Sequence, residues 1–453
     1  MKSSSTQENP LGILPVNQLL ARFAIPSIIA MLVSALYNIV DQFYIGRSVG
    51  MLGNAATNVA FPLTITCTAI SLMCGIGGAA NFNLSMGRGK RDEAVRYAGN
   101  AIFLLFSIGV LLCLTVRLFL RPMMVLFGAT PDVLDYSLTY TGITSLGFPF
   151  LILTTGGSNL IRADGSPRFS MLCTLTGAVL NTILDPLFIF TFHMGMAGAA
   201  LIISGIMVIA YLCRFKTVKL TFKALVPSPE HCRAILSLGM APCFNQLAMM
   251  IVQIVMNNIL RYYGAQSNYG SEIPLACAGI ITKVNMIFFS LVIGLSQGLQ
   301  PIVSFNYGAA KYRRVRESYL KAAVIATTIS TCSFLCFQLF PRQIIRIFGS
   351  GSEEYYHFAE QYFRIFLFFT FLNGIQPITA NFFTSIGKAK KGIFISLTRQ
   401  ILFLLPLIII LPMFLGIDGV MYSAPVADLT AAALAVVFVT REMRGMKGLQ
   451  GTD

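Results

Sequence analysis

Twelve apolar runs, each long enough to cross a bilayer, follow one another along this chain and leave little room for any other kind of fold. A helix needs about 20 predominantly apolar residues to cross a hydrocarbon core roughly 30 Å thick. The runs lie near 20–46, 53–80, 98–120, 133–156, 169–191, 194–213, 235–260, 273–305, 319–340, 355–382, 392–413 and 417–440. Lipid offers no water to hydrogen-bond an exposed backbone, so runs of this length read as helices. Hydrophobic residues make up 55% of the sequence and charged ones 11%, an apolar excess that a water-soluble domain does not carry. The expected class is an all-α, multi-pass integral membrane protein with twelve transmembrane helices.

The runs form two sets of six that repeat each other. Gly87, Gly128, Gly195 and Gly198 recur as Gly308, Gly349, Gly416 and Gly419, each 221 residues later. Local chemistry recurs with them: "VLFGATPDV" from Val125 answers "RIFGSGSEE" from Arg346, and "MGRGK" from Met86 answers "YGAAK" from Tyr307. Gly165 aligns with Gly387, and Pro26 with Pro242. Duplicated halves are a device of secondary transporters. An even number of spans per half starts both halves on the same side, so the repeats are parallel and enclose a central cavity. The expected organisation is an N-terminal segment 1–19, a first lobe 20–213 (helices 1–6), a linker 214–234, a second lobe 235–440 (helices 7–12) and a tail 441–453.

The net charge of +15 is distributed by loop. Basic clusters follow the even spans: Arg88, Lys90, Arg91 and Arg96; Arg162 and Arg168; the linker from Arg214 to Arg233; Lys311 to Lys321; Lys388, Lys390, Lys391 and Arg399. The loops between hold few cations. By the positive-inside rule both termini and the linker are expected in the cytoplasm. These short loops carry no aromatic platform, so nucleic acid is not an expected partner. Residues 1–18 lack the order of a signal peptide. Cysteines, mostly within the runs and without CxxC spacing, read as small buried hydrophobes. No metal-ligand spacing, nucleotide loop or hydrolase constellation emerges, so neither an enzyme nor a bound cofactor is expected. The glycines of "CGIGGAA" (Gly75, Gly77, Gly78) lack the Lys-Ser/Thr of a phosphate loop and read as close helix packing.

Ionisable groups inside a spanning helix cost free energy and mark pathways or structural pairs. Asp41 shares a helix with Tyr37 and Asn38, four and three residues before it. It reads either as a structural carboxylate or as an ion- or proton-coupling site. Asp185 stands one turn after Asn181, and Pro186 leaves the Thr182 carbonyl free to turn toward a cation. The second half has amides instead: Gln253 and Asn257, Asn285, Gln297 and Gln300, Asn373 and Gln376, with Asn257 at the register of Asp41. Such amides either tie helices together or line a polar substrate wall. Lys283 and Arg364 read as the remaining internal charges, either snorkelling or contacting substrate.

The stretches "IPSIIAMLVSALYNIVDQFYIG", "LIRADGSPRFSM", "LNTILDPLFIF", "GMAGAAL" and "GLSQGLQPIVSFNYGA" resemble the multidrug and toxin extrusion (MATE) transporters, nearest the DinF-like branch with its MepA-type drug exporters. The resemblance implies two six-helix bundles forming a V and export of drugs or other amphiphilic, mainly cationic compounds. It implies a monomeric antiporter driven by H⁺ or Na⁺, in a bacterial plasma membrane, contributing to antibiotic resistance. Carried over residue by residue, Asp41, Asn181 and Asp185 would hold the coupling cation, Pro26 would bend the first helix, and Ser204 would stand near a helix 6 ligand position. A lipid-linked oligosaccharide flippase shares this architecture and is the alternative. The cations of this chain lie mainly in loops rather than in a cavity suited to pyrophosphate, which favours drug export.

Overall fold

A computed structural model describes residues 9–48, 50–186, 206, 208–211, 222–270, 272–348 and 352–449; the side chains of residues 41–55, of Asn181, of residues 183–186, of Phe222 and of Leu449 are outside that description. Helices run Val16–Ser48 (α1), Gly50–Gly87 (α2), Arg91–Leu118 (α3), Leu120–Leu126 (α4), Pro131–Thr144 (α5), Phe148–Ala163 (α6) and Pro167–Pro186 (α7) in the first half. The second half holds Pro229–Ala265 (α8), Glu272–Gly308 (α9), Tyr312–Leu339 (α10), Pro341–Phe348 (α11), Glu353–Phe366 (α12), Ile375–Ser385 (α13), Ala389–Leu397 (α14), Leu405–Leu415 (α15) and Ile417–Leu449 (α16). Among the described residues nine helical spans are long and apolar enough to cross a membrane, and α12 with α13, bent by 41°, makes a tenth. Large apolar side chains such as Leu118, Val324 and Phe414 stay exposed on their outer faces, as a lipid-facing surface requires.

The duplication is visible in the backbone. Helix boundaries recur at the sequence offset of 221: Gly87 and Gly308, Arg91 and Tyr312, Leu118 and Leu339, Leu120 and Pro341. Each half also interrupts its fourth span with a 3₁₀ turn, Ser145–Gly147 and Thr370–Leu372. Glycines at Gly89, Gly165 and Gly387 take positive φ where short turns join helices.

Close packing between the lobes comes from small residues. α2 packs against α8, and α1 against α9. A Cβ on Gly77 would overlap the Ile235 carbonyl, and one on Gly239 the Met73 carbonyl. Gly87 faces Phe305 and Gly308 faces Leu84, a reciprocal pair in which both partners shift by the repeat. Gly294 and Gly298 meet Ile28 and Ala24 of α1. Of the "CGIGGAA" glycines, Gly75 approaches Gly156 and Gly78 approaches Ala101, so this segment is a packing surface on three sides.

The cysteine expectation needs correction at two positions. Cys67, Cys74, Cys113, Cys173, Cys243 and Cys277 are buried, but Cys332 and Cys336 are exposed. Both lie on α10 one turn apart, so they share its outer, apolar face.

Candidate functional site

The seam between the lobes closes at one end. That end carries the start of α1, the α2–α3 turn and the foot of α9. Gln300 Nε2 donates to the Ile76 carbonyl at 3.0 Å, and Arg162 Nη1 donates to Gln297 Oε1 at 3.0 Å. Asn306 Nδ2 donates to the Leu11 carbonyl at 2.9 Å and Lys311 Nζ to the Gly12 carbonyl at 3.0 Å. The linker is anchored at the same end: Asn100 donates to the Ala224 carbonyl and accepts from the Ser228 N–H.

Beyond the seam the same helix faces turn polar. Gln246, Gln253 and Asn257 stand about two, four and five turns past Gly239, on the α8 face that met the first lobe. Lys283 stands about three turns from Gly294 on α9, and Asn38 about four turns from Ala24 on α1, again on the seam-facing sides. Asn38 is exposed, and its Nδ2 donates to the Ser34 carbonyl at 2.7 Å. Gln253 Nε2 donates to Asn257 Oδ1 at 2.9 Å, and Thr282 Oγ1 to Gln253 Oε1 at 3.5 Å, tying α8 to α9. Lys283 is half-buried and has no hydrogen bond or ion pair among the described residues. Half-exposed amides and an unpaired ammonium facing hydrocarbon would lose their hydrogen bonds, so this stripe faces a watered cleft.

The other amides do different work. Gln297 and Gln300 are buried in the closed seam. Asn373 and Gln376 belong to a hub on the bent span, which bonds one neighbour at each step. Asn373 Nδ2 reaches Asp428 Oδ2 on α16 at 2.8 Å, and Gln376 Nε2 the Ile395 carbonyl on α14 at 2.7 Å. Thr379 bonds the Tyr319 hydroxyl on α10, and Asn381 Nδ2 the Ser296 carbonyl on α9, both at 2.7 Å. These amides tie helices together in this conformation rather than face the cleft. Asn285 Oδ1 is buried and without a partner among the described residues. Arg364 is exposed at the end of α12.

Asp41 lies in α1 and Asn181 and Asp185 in α7, two helices that pack against each other. Their side chains are outside the described ones, as is Ser204 altogether. Tyr37 is half-buried and engaged with a neighbour. Pro26 sits inside α1, which continues past it as one helix, and Pro186 ends the described part of α7.

Arg364, being exposed, is not an internal charge, and Lys283 is not the only one in the second lobe. Asp428, 2% exposed in α16, accepts from Arg399 Nε at 2.6 Å. Arg399 is no loop cation: it lies in a π-helical turn, Thr398–Leu404, inside a spanning helix. Counting cations by the nearest loop hides it, although a lone acid in the apolar run "SAPVADLTAAALAVV" is a readable signal. Arg162 is no loop cation either. It is 4% exposed at the seam, bonded only to the amides of Asn159 and Gln297, with its Nε unpartnered among the described residues.

A family model described as MatE matches residues 26–187 and 241–410. The chain is 24% identical over 425 residues to the multidrug export protein MepA of Staphylococcus haemolyticus (strain JCSC1435), covering 92% of each chain. It is 23% identical over 439 residues to the multidrug export protein MepA of Staphylococcus aureus (strain MSSA476), covering 94% of this chain and 95% of that one. Its fold is similar to a solved structure described as the outward-facing conformation of a multidrug resistance MATE family transporter of the MOP superfamily. The TM-score is 0.89 at 22% identity, over 98% of this chain and 99% of that one.

Proposed function

The chain belongs to the MatE family, and from that premise we propose that it exports amphiphilic, mainly cationic organic compounds by alternating access, in exchange for H⁺ or Na⁺. The observation that carries this reading is the change along the seam: small residues close the lobes at one end, and the same helix faces become polar beyond it. Loop charge puts the closed end in the cytoplasm, so this conformation opens outward. Export then requires the glycine contacts to part at the closed end while the far ends of α1, α2, α8 and α9 come together.

Roles follow from position. Asn38, Gln253, Asn257 and Lys283 contact the cargo, the amides offering adaptable hydrogen bonds and Lys283 setting the charge that a substrate meets. Coupling belongs to the first lobe, where Asp41 and Asp185 with Asn181 would take a proton or a hard cation between α1 and α7, Tyr37 and Asn38 standing on the same helix as Asp41. Multidrug export by the MepA relatives supports a broad cargo range. The protein works as a monomer in a bacterial plasma membrane.

Purified protein reconstituted in liposomes tests the proposal. A fluorescent organic cation such as ethidium should accumulate against its own gradient when one of the two ion gradients is imposed. The gradient that drives it identifies the coupling ion. Accumulation independent of both would overturn the reading.

A further inference from the structure

The second lobe carries a buried carboxylate whose cation is built in. Both oxygens of Asp428 are taken: Oδ1 accepts from Arg399 Nε at 2.6 Å and Oδ2 from Asn373 Nδ2 at 2.8 Å. The carboxylate side chain keeps 1% of its surface exposed and the Arg399 side chain 11%. The guanidinium also lies over the Phe289 ring, 5.5 Å from its centroid. Arg399 is therefore held by a carboxylate and an aromatic face, groups that each recognise a cation. Asn285, one turn before Phe289 on the same face of α9, adds a buried amide oxygen with no partner among the described residues.

Two backbone irregularities converge on this pair. Asn373 follows the 3₁₀ turn at the 41° bend between α12 and α13. Arg399 occupies the π-helical turn, which departs from the regular helical register as such turns do at functional sites. The repeat gives the pair its counterpart. At the offset that aligns Gly165 with Gly387, Asn181 corresponds to Phe403 and Asp185 to Leu407, so Arg399 stands one turn before the register of Asn181 on the equivalent span. The position of Asp41 is held by Asn257. Where the first lobe has acids without a fixed cation in the sequence pattern, the second has one acid with a tethered guanidinium.

We propose that Arg399 is a resident counter-ion that closes a latent monovalent-cation site at Asp428, confining ion coupling to the first lobe. This rests on the coupling reading above, and it assigns the second lobe a different charge logic. A guanidinium does not deprotonate at working pH, so the pair stays satisfied through the cycle. Without Arg399 the carboxylate would be left uncompensated in a low-dielectric site, and a proton or Na⁺ would take the vacated place. Among the described residues no other charged side chain bonds Asp428.

The test counts cations on the full-length purified protein, with ²²Na⁺ binding as one arm and proton uptake at low sodium as the other. Arg399→Gln should bind one more cation per chain than the wild type, and the arm that registers it identifies the ion. Arg399→Lys should keep the wild-type count, and Arg399→Gln combined with Asp428→Asn should lose the gain. If Arg399→Gln is unstable, rescue by sodium or mild acid supports the proposal, and instability that neither relieves counts against it. A folded Arg399→Gln with the wild-type count, or a gain that survives Asp428→Asn, overturns it. Asp41→Asn in the same assay separates the two readings. Failure to lose a cation there contradicts first-lobe coupling, while the Arg399→Gln gain is judged independently.

Discussion

Amides divide here into those left half-exposed on the seam-facing stripe and those bonded between helices, and sequence spacing alone does not separate them. Gln253 and Gln376 look alike in a string of letters; in the fold Gln253 opens onto the cleft, whereas Gln376 is consumed by the Ile395 carbonyl. Removing a cleft amide should therefore change cargo and leave stability nearly intact. We expect Asn257→Ala to shift substrate affinity by up to about tenfold, equivalent to roughly 1.4 kcal/mol, with ion dependence retained; titration of ethidium binding checks it. Gln376→Ala, which strips a bond between buried groups, should instead lower thermal stability by about 1–3 kcal/mol. Equal effects of both substitutions on cargo affinity would contradict this division. Asp428 is legible as a lone acid, but its pairing with Arg399 is not. A helix-period reading takes a lone acid among apolar residues as isolated, because its partner lies on another span and reaches it through a π-turn that no local pattern announces.

At the scale of elements, small residues are legible and their partners are not. "CGIGGAA" announces close packing, yet only the fold shows Gly77 against the second lobe and Gly75 and Gly78 against the first. In the alternating-access cycle proposed above, these cross-lobe contacts are the ones that must part. A side chain at Gly239 would overlap the Met73 carbonyl, and backbone cannot move aside as a flexible side chain can. Gly239→Val should prevent the seam from closing and cost about 1–3 kcal/mol through overpacking. Spin labels at Lys90 and Arg313, exposed near the closed end, report the consequence in a background lacking Cys332 and Cys336. The distance distribution should lengthen in Gly239→Val relative to the same labels on Gly239. An unchanged distribution would mean the seam tolerates the side chain and the glycines do not set closure.

For the whole molecule, the duplication is readable to the residue. Gly165 and Gly387, both at positive φ, end α6 at Ala163 and α13 at Ser385 with one offset of 222, whereas Gly87 and Gly308 recur because the seam packs tightly there. Individual span limits are coarser. The fourth span of each half is broken by a 3₁₀ turn, which an apolar run does not reveal. Orientation rests on loop charge. Single cysteines at Lys223 and at Asp418, both exposed, should react with an impermeant thiol reagent from opposite sides of intact cells, Asp418→Cys from outside; labelling of both from one side would reverse or break the topology. Coupling between the ion and the cargo is the central claim, and linkage makes it reciprocal, typically by about 1–3 kcal/mol. Its most direct measurement is ethidium binding and accumulation by Asp41→Asn beside wild type, in the same liposomes under the driving gradient. Asp41→Asn should bind ethidium without dependence on the coupling ion and fail to concentrate it. Concentration at the wild-type level by Asp41→Asn would move coupling away from this carboxylate.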